Sequence, residues 1–125
     1  MSDERKKGTL ALRTKAFALA VIRMFAALPR SEVARILGRQ MVRAGTSVGA
    51  QYREGSRARS SAEFISKLES ALHELEETQY WLELMEESGV GDADSLAEAR
   101  REAGELTAML TASVLTAKRR KDGRD

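Results

Sequence analysis

Residues 60–88 read SSAEFISKLESALHELEETQYWLELMEES, and this stretch decides the fold class. Ser60 followed by Glu63 has capping-box spacing, in which each side chain satisfies a backbone N–H that the first helical turn leaves without a partner. From there Phe64, Leu68, Leu72, Leu75, Leu82 and Met85 recur at intervals of three, four or seven, the spacing of one face of a helix. Gly89 supplies the stop, because glycine adopts the left-handed conformation that ends helices. Such a helix is about 40 Å long. Its apolar stripe needs partners of similar length.

The flanking sequence provides them. Towards the N-terminus, Leu10, Phe17, Val21, Phe25 and Leu28 fall at helical spacing, and a helix is expected over Thr9–Leu28. Pro29 ends it, since proline lacks the next backbone donor and restricts the residue before it. Ser31 can cap a second helix, with Glu32 near its positive end. That helix reaches Tyr52 or Glu54 and sorts into three stripes. Val33, Leu37, Gln40, Met41, Ala44 and Val48 form a core face. Ala34, Gly38, Gly45 and Gly49 form a small-residue stripe. Arg35, Arg39 and Arg43 form a basic stripe. Each glycine costs a helix roughly 1 kcal/mol relative to alanine. A row of them therefore suggests a close helix contact, within the chain or across a subunit boundary. Residues 55–60 form the connection to the third helix.

Beyond Gly89, a turn to Asp94 precedes a second capping box, Ser95 with Glu98. Leu96, Ala99, Ala103, Leu106, Leu110, Val114 and Ala117 then give a 3-4 repeat. The expected architecture is all-α: an antiparallel up-down four-helix bundle over residues 9–117. A polar tail, 1–8, precedes it and a basic tail, 118–125, follows. Tyr80 and Trp81 lie partly off the third helix's core stripe. With Gly38, Gly45 and Gly49 they are assigned to an oligomer contact; the alternative is that they wrap the flank of a monomer core.

Composition excludes several functions. The 125 residues contain no Cys, so there is no disulfide framework, thiolate metal site or thiol nucleophile. This suits a reducing cytoplasm, the expected location. The apolar stretch before Leu28 is broken by Arg23 and too short to span a bilayer; no signal peptide is recognisable. His73 is the only histidine, with Glu69, Glu76 and Glu77 near it on the helix. Position 70 is Ser, however, where the bundle di-metal pattern needs Glu. No metal, cofactor or catalytic residue is expected, and the serines sit at caps, in loops or among small residues, without a base and an orienting group.

Charge is the positive clue. The net +2 conceals an asymmetry: 14 basic and 5 acidic residues over 1–67, 2 and 12 over 68–117, and 5 and 2 over 118–125. Arg35, Arg39 and Arg43 share a face, Arg53, Arg57 and Arg59 cluster at the following turn, and Lys118, Arg119, Arg120 and Lys121 form a run. Such clusters suit phosphate. The competing reading pairs the helix arginines with Glu69, Glu76, Glu83 and Glu87 on neighbouring helices. The loop cluster and the tail have fewer acids near them, and they favour binding. No base-reading motif accompanies them, so contact with RNA or DNA would be directed at the backbone.

Arg43 to Lys67 reads RAGTSVGAQYREGSRARSSAEFISK, and residues 77–84 read ETQYWLEL. Together with Gln40 and Arg43 as a Q-x-x-R pattern, these stretches resemble the bacterial four helix bundle protein family. That family includes proteins encoded in intervening sequences of large-subunit ribosomal RNA genes and is related to the accessory variability proteins of diversity-generating retroelements. The resemblance covers roughly residues 10–116 and is dense over 40–86. Gln51 departs from it, standing where the family commonly has Asn. The resemblance implies an antiparallel four-helix bundle and a homopentameric barrel. It also implies a basic surface for nucleic acid and, for the retroelement relatives, association with a reverse transcriptase. It brings no catalytic residue. Of the matching positions, Gln40, Ser47, Tyr52, Glu54 and Phe64 are read as structural, with Glu54 in a buried or inter-helix ion pair. Arg53, Arg57 and Arg59 are read as phosphate contacts.

Overall fold

The computed structural model describes the backbone of residues 3–123 and the side chains of residues 9–122. Four helices follow one another: α1 (Asp3–Ala26), α2 (Glu32–Ser56), α3 (Ser61–Glu87) and α4 (Ala93–Gly123). Among the described residues there is no strand. The helices close a ring in which α1 packs on α2, α2 on α3, α3 on α4 and α4 back on α1.

Inter-helix ion pairs show the antiparallel register. Between α2 and α3, Arg43 meets Glu77 and Glu54 meets Lys67; as one residue number rises the other falls. Between α3 and α4, Glu86 meets Arg100 and Glu69 meets Lys118. The core runs the length of the ring: Phe17 and Val21 from α1, Met41, Val48 and Tyr52 from α2, Leu68, Leu75 and Leu82 from α3, and Leu106, Leu110 and Val114 from α4. Each fully buried side chain of this size contributes about 1.5–3 kcal/mol relative to exposure.

The helix ends follow from local chemistry. Ser31 accepts from the Ala34 N–H and Ser60 from the Glu63 N–H, each at 3.1 Å. α3 ends on a Schellman motif: Gly89 takes φ +72°, and the Val90 N–H donates to the Met85 carbonyl at 2.8 Å.

Several boundaries and faces differ from the sequence reading. Helix α1 begins at Asp3, inside the stretch read as a polar tail, and α4 carries the basic run 118–121 as helix. α2 reaches Ser56, which shortens the connection to residues 57–60. α4 starts earlier than expected because Asp92, not Ser95, caps it. The Asp92 carboxylate accepts from both the Ser95 N–H and hydroxyl at 2.9 Å, and these bonds hold its pKa below the usual carboxylate range. Val33, read as core, is 55 % exposed. It lies in the first turn of α2, where the inward surface falls to Ala34 and Gly38 instead.

The glycine stripe also changes role. The sequence points to an oligomer contact, but Gly38 and Gly45 are buried against α1 of the same chain, and Gly49 faces Thr14. A Cβ on Gly45 would stand 2.9 Å from Val21 Cγ2. The glycines thus let α1 pack close against α2, and this contact is intramolecular.

Candidate nucleic-acid interface

The up-down topology puts the C-terminus of α2, the N-terminus of α3 and the C-terminal part of α4 at one end of the bundle. This unites two clusters that lie far apart in sequence. Arg59 from the α2–α3 connection and Arg120 from α4 line one cavity of about 380 Å³, together with Tyr52, Ser60, Phe64 and Thr116. The turn is held tight by Gly55, where a Cβ would stand 2.9 Å from Leu68 Cδ1. Ser47, further back on α2, donates its hydroxyl to the Arg43 carbonyl at 2.8 Å within the helix.

Beside this end lies a groove between α1 and α2, lined by Lys15, Arg53 and Arg57 around Ala11, Ala18, Gly49 and Ala50. Arg53, Arg57, Arg59, Arg119, Arg120 and Lys121 are all exposed. Among the described residues, no acidic side chain lies within ion-pair distance of the guanidinium groups of Arg53, Arg57, Arg59 or Arg119, although the Arg59 backbone N–H donates to the Glu63 carboxylate at 3.2 Å.

The other cations divide. Arg43 leaves the basic stripe: its Nη2 lies 2.8 Å from Glu77, with Glu74 at 3.8 Å from Nη1. Glu77 in particular raises the Arg43 pKa, binding its proton more firmly. Lys118 pairs with Glu69 at 3.1 Å. Arg35 and Arg39 stay exposed, in the half of α2 away from the basic end. Of the acids proposed as partners for the helix arginines, Glu83 meets Arg100 instead, at 3.9 Å. Glu54 accepts from Lys67 at 2.7 Å, an inter-helix pair that is exposed rather than buried.

Sequence reasoning missed two cations. Lys15 enters the groove from α1; its position on the polar face of the first helix was the available signal. Arg13 is a structural clamp, donating to Glu102 and Glu105 at 2.7 Å each across the α1–α4 seam. Nothing local marks it, because its partners lie about ninety residues on.

Tyr80 and Trp81 touch edge to face, with ring centroids 5.3 Å apart. Tyr80 is 53 % exposed, whereas Trp81 is partly buried against the core. His73 is exposed, and among the described residues no three His, Asp or Glu side chains converge on a metal position. Among the same residues no helix is long and apolar enough to cross a membrane.

The arrangement presents Arg53, Arg57, Arg59 and Arg119 as exposed cations without an ion-pair partner among the described residues, the chemistry that suits a polyanion. Residues 9–112 match the family model described as 23S rRNA-intervening sequence protein. The chain is also similar to a crystal structure of a protein with unknown function from the S23 ribosomal protein family of Bacteroides thetaiotaomicron. The two are 29 % identical, with a TM-score of 0.82 over 87 % of this chain and 97 % of that one. No curated protein matches the chain. The family match runs from the start of the α1 apolar stripe to the later turns of α4, and the solved relative shares the four-helix arrangement, so the chain belongs to the 23S rRNA-intervening sequence protein family.

Proposed function

We propose that this protein is a non-enzymatic nucleic-acid-binding protein that works as an oligomer and holds RNA or DNA by its phosphate backbone. One observation carries the reading. The topology gathers Arg53, Arg57, Arg59 and Arg119 at one end, exposed, and among the described residues none of their guanidinium groups has an ion-pair partner. Backbone binding needs such a cluster and little else. The resemblance to accessory variability proteins adds a reverse transcriptase as the candidate protein partner, and a cytoplasmic setting suits such a role.

The test is binding to a structured RNA and to duplex DNA across a salt series, with oligomer mass recorded at each salt. Affinity should fall by roughly 0.7–0.9 logarithmic units per neutralised phosphate for each tenfold rise in salt. Replacing Arg53, Arg57 and Arg59 together by Ala should reduce that slope by about 2–3 while leaving helicity intact. An unchanged slope would remove these residues from the interface.

A second reading, a protein-interaction scaffold whose charges serve assembly, has its own support. Leu12, Leu19 and Ile22 expose apolar surface along α1, and several cations are already engaged by acids. It expects no binding at low salt and a mass that falls as salt screens the charges.

A further inference from the structure

We infer that the face shared by α1 and α2 is a two-point dock for a double-stranded segment of RNA. Arg35 and Arg39 hold one stretch of backbone, and Arg53 and Arg57 hold the next. The inference rests on the nucleic-acid reading above and adds to it the form of the partner and a second grip away from the basic end.

The spacing comes first. Arg35 to Arg53 and Arg39 to Arg57 are each eighteen residues. At 3.6 residues per turn this is about five whole turns, so the second pair returns to the side of α2 held by the first, about 27 Å further along. Arg57 is the cap residue, one step past the last turn. All four side chains are exposed, and among the described residues none has an acidic partner. The third arginine of the stripe, Arg43, is turned towards α3 by Glu77.

Beside the second pair the surface is low. The α1–α2 groove is floored by Ala18, Thr46, Gly49 and Ala50, with Lys15 on its α1 side. Glu54 also lines it, but its carboxylate is held by Lys67 at 2.7 Å. Within this groove a phosphate backbone meets small side chains and no unengaged acid.

The surface also selects the form of the nucleic acid. Binding an unpaired strand calls for aromatic platforms on which bases stack. Among the described residues that line this groove, the only ring is that of Tyr52, which is 2 % exposed. Reading B-form DNA through the major groove calls for a protruding helix, whereas α2 is packed along its length against α1 and α3. An A-form duplex presents a wide, shallow minor groove, recognised by shape through backbone and 2′-hydroxyl contacts. A cationic face made by two helices lying side by side suits that, and the span of about 27 Å is shorter than the B-DNA repeat of about 34–36 Å.

The test uses the full chain with four probes in about 0.1 M salt: an RNA duplex of about 20 pairs, a DNA duplex and a single strand of matching sequence, and an RNA hairpin. The hairpin stem has about six pairs, about 20 Å or less at 3.4 Å per pair, too short to bridge both pairs of arginines. The wild type should favour the long RNA duplex over the other three. Arg35→Ala with Arg39→Ala should weaken the long duplex about tenfold or more and leave the hairpin within about twofold. Arg53→Ala with Arg57→Ala should weaken both RNAs. Far-UV circular dichroism checks folding, and Arg35→Gln with Arg39→Gln serves if the alanine pair does not fold. Equal binding of the DNA duplex or the single strand overturns the assignment to double-stranded RNA. Indifference of the long duplex to loss of Arg35 and Arg39 overturns the two-point dock alone. A wild type that binds none of the probes overturns the nucleic-acid reading with it.

Discussion

Arg43 and Glu77 meet at 2.8 Å across the seam between α2 and α3, which takes one arginine out of a surface stripe of three. Half-exposed pairs of this kind are worth about 0–1 kcal/mol. Arg43→Ala should therefore lower unfolding free energy by under about 1 kcal/mol in urea titration. It should change nucleic-acid affinity much less than Arg53→Ala or Arg57→Ala. A loss equal to that of either would mean that the pair opens on binding.

Two glycines should respond oppositely to alanine. At Gly45 the new Cβ would meet Val21 at 2.9 Å. Overpacking typically costs about 1–3 kcal/mol, against a gain of about 1 kcal/mol in helix propensity. At Gly104, on exposed α4, nothing lies within 4 Å of the added carbon, so only the gain remains. Thermal unfolding should show Gly104→Ala stabilised and Gly45→Ala neutral to destabilised. A clear rise in Tm for Gly45→Ala would show that α1 can move away at little cost.

Tyr52 should make the bundle sensitive to alkali. Burial pushes its hydroxyl up from 10.0 to about 12, so folding favours the protonated phenol. The associated stability is present in full below pH 10 and is lost as pH rises towards 12. A shift of that size corresponds to about 2–3 kcal/mol. Tyr52→Phe keeps the ring and removes the proton. Urea midpoints between pH 9 and 12 should fall less for this variant than for the wild type; parallel curves would show that the phenolate is accommodated.

The caps offer a local test. Ser31→Ala and Ser60→Ala each remove an acceptor from the first turn of a helix and should each cost about 0.5–2 kcal/mol. The Gly counterparts should cost only a few tenths of a kcal/mol, and denaturant titration of the four variants compares them. Equal losses for Ala and Gly would point to something other than capping.

Helix number, order and core stripes were legible because they depend on interactions within a few residues: capping at i+3, apolar recurrence at three and four, a left-handed glycine. Local signals failed where two of them competed for one end. Asp92 and Ser95 both resemble caps, and Asp92 takes the role by accepting from Ser95. Val33 failed for a related reason, since periodicity places it on the edge of the inward stripe and only packing decides which edge is covered.

The functional cations were legible as residues but not as a site. Sequence alone determined the helices, the charge asymmetry, the lack of cysteine chemistry and, through residues 43–67 and 77–84, the family. It could not say that Arg59 and Arg120 share a cavity, that Arg43 is bound to Glu77, or that the α2 glycines face α1 of the same chain. Those facts depend on which helix lies beside which and in what register. Burial sets that register over the whole length of the bundle, and charge pairing then follows from positions that packing has already chosen.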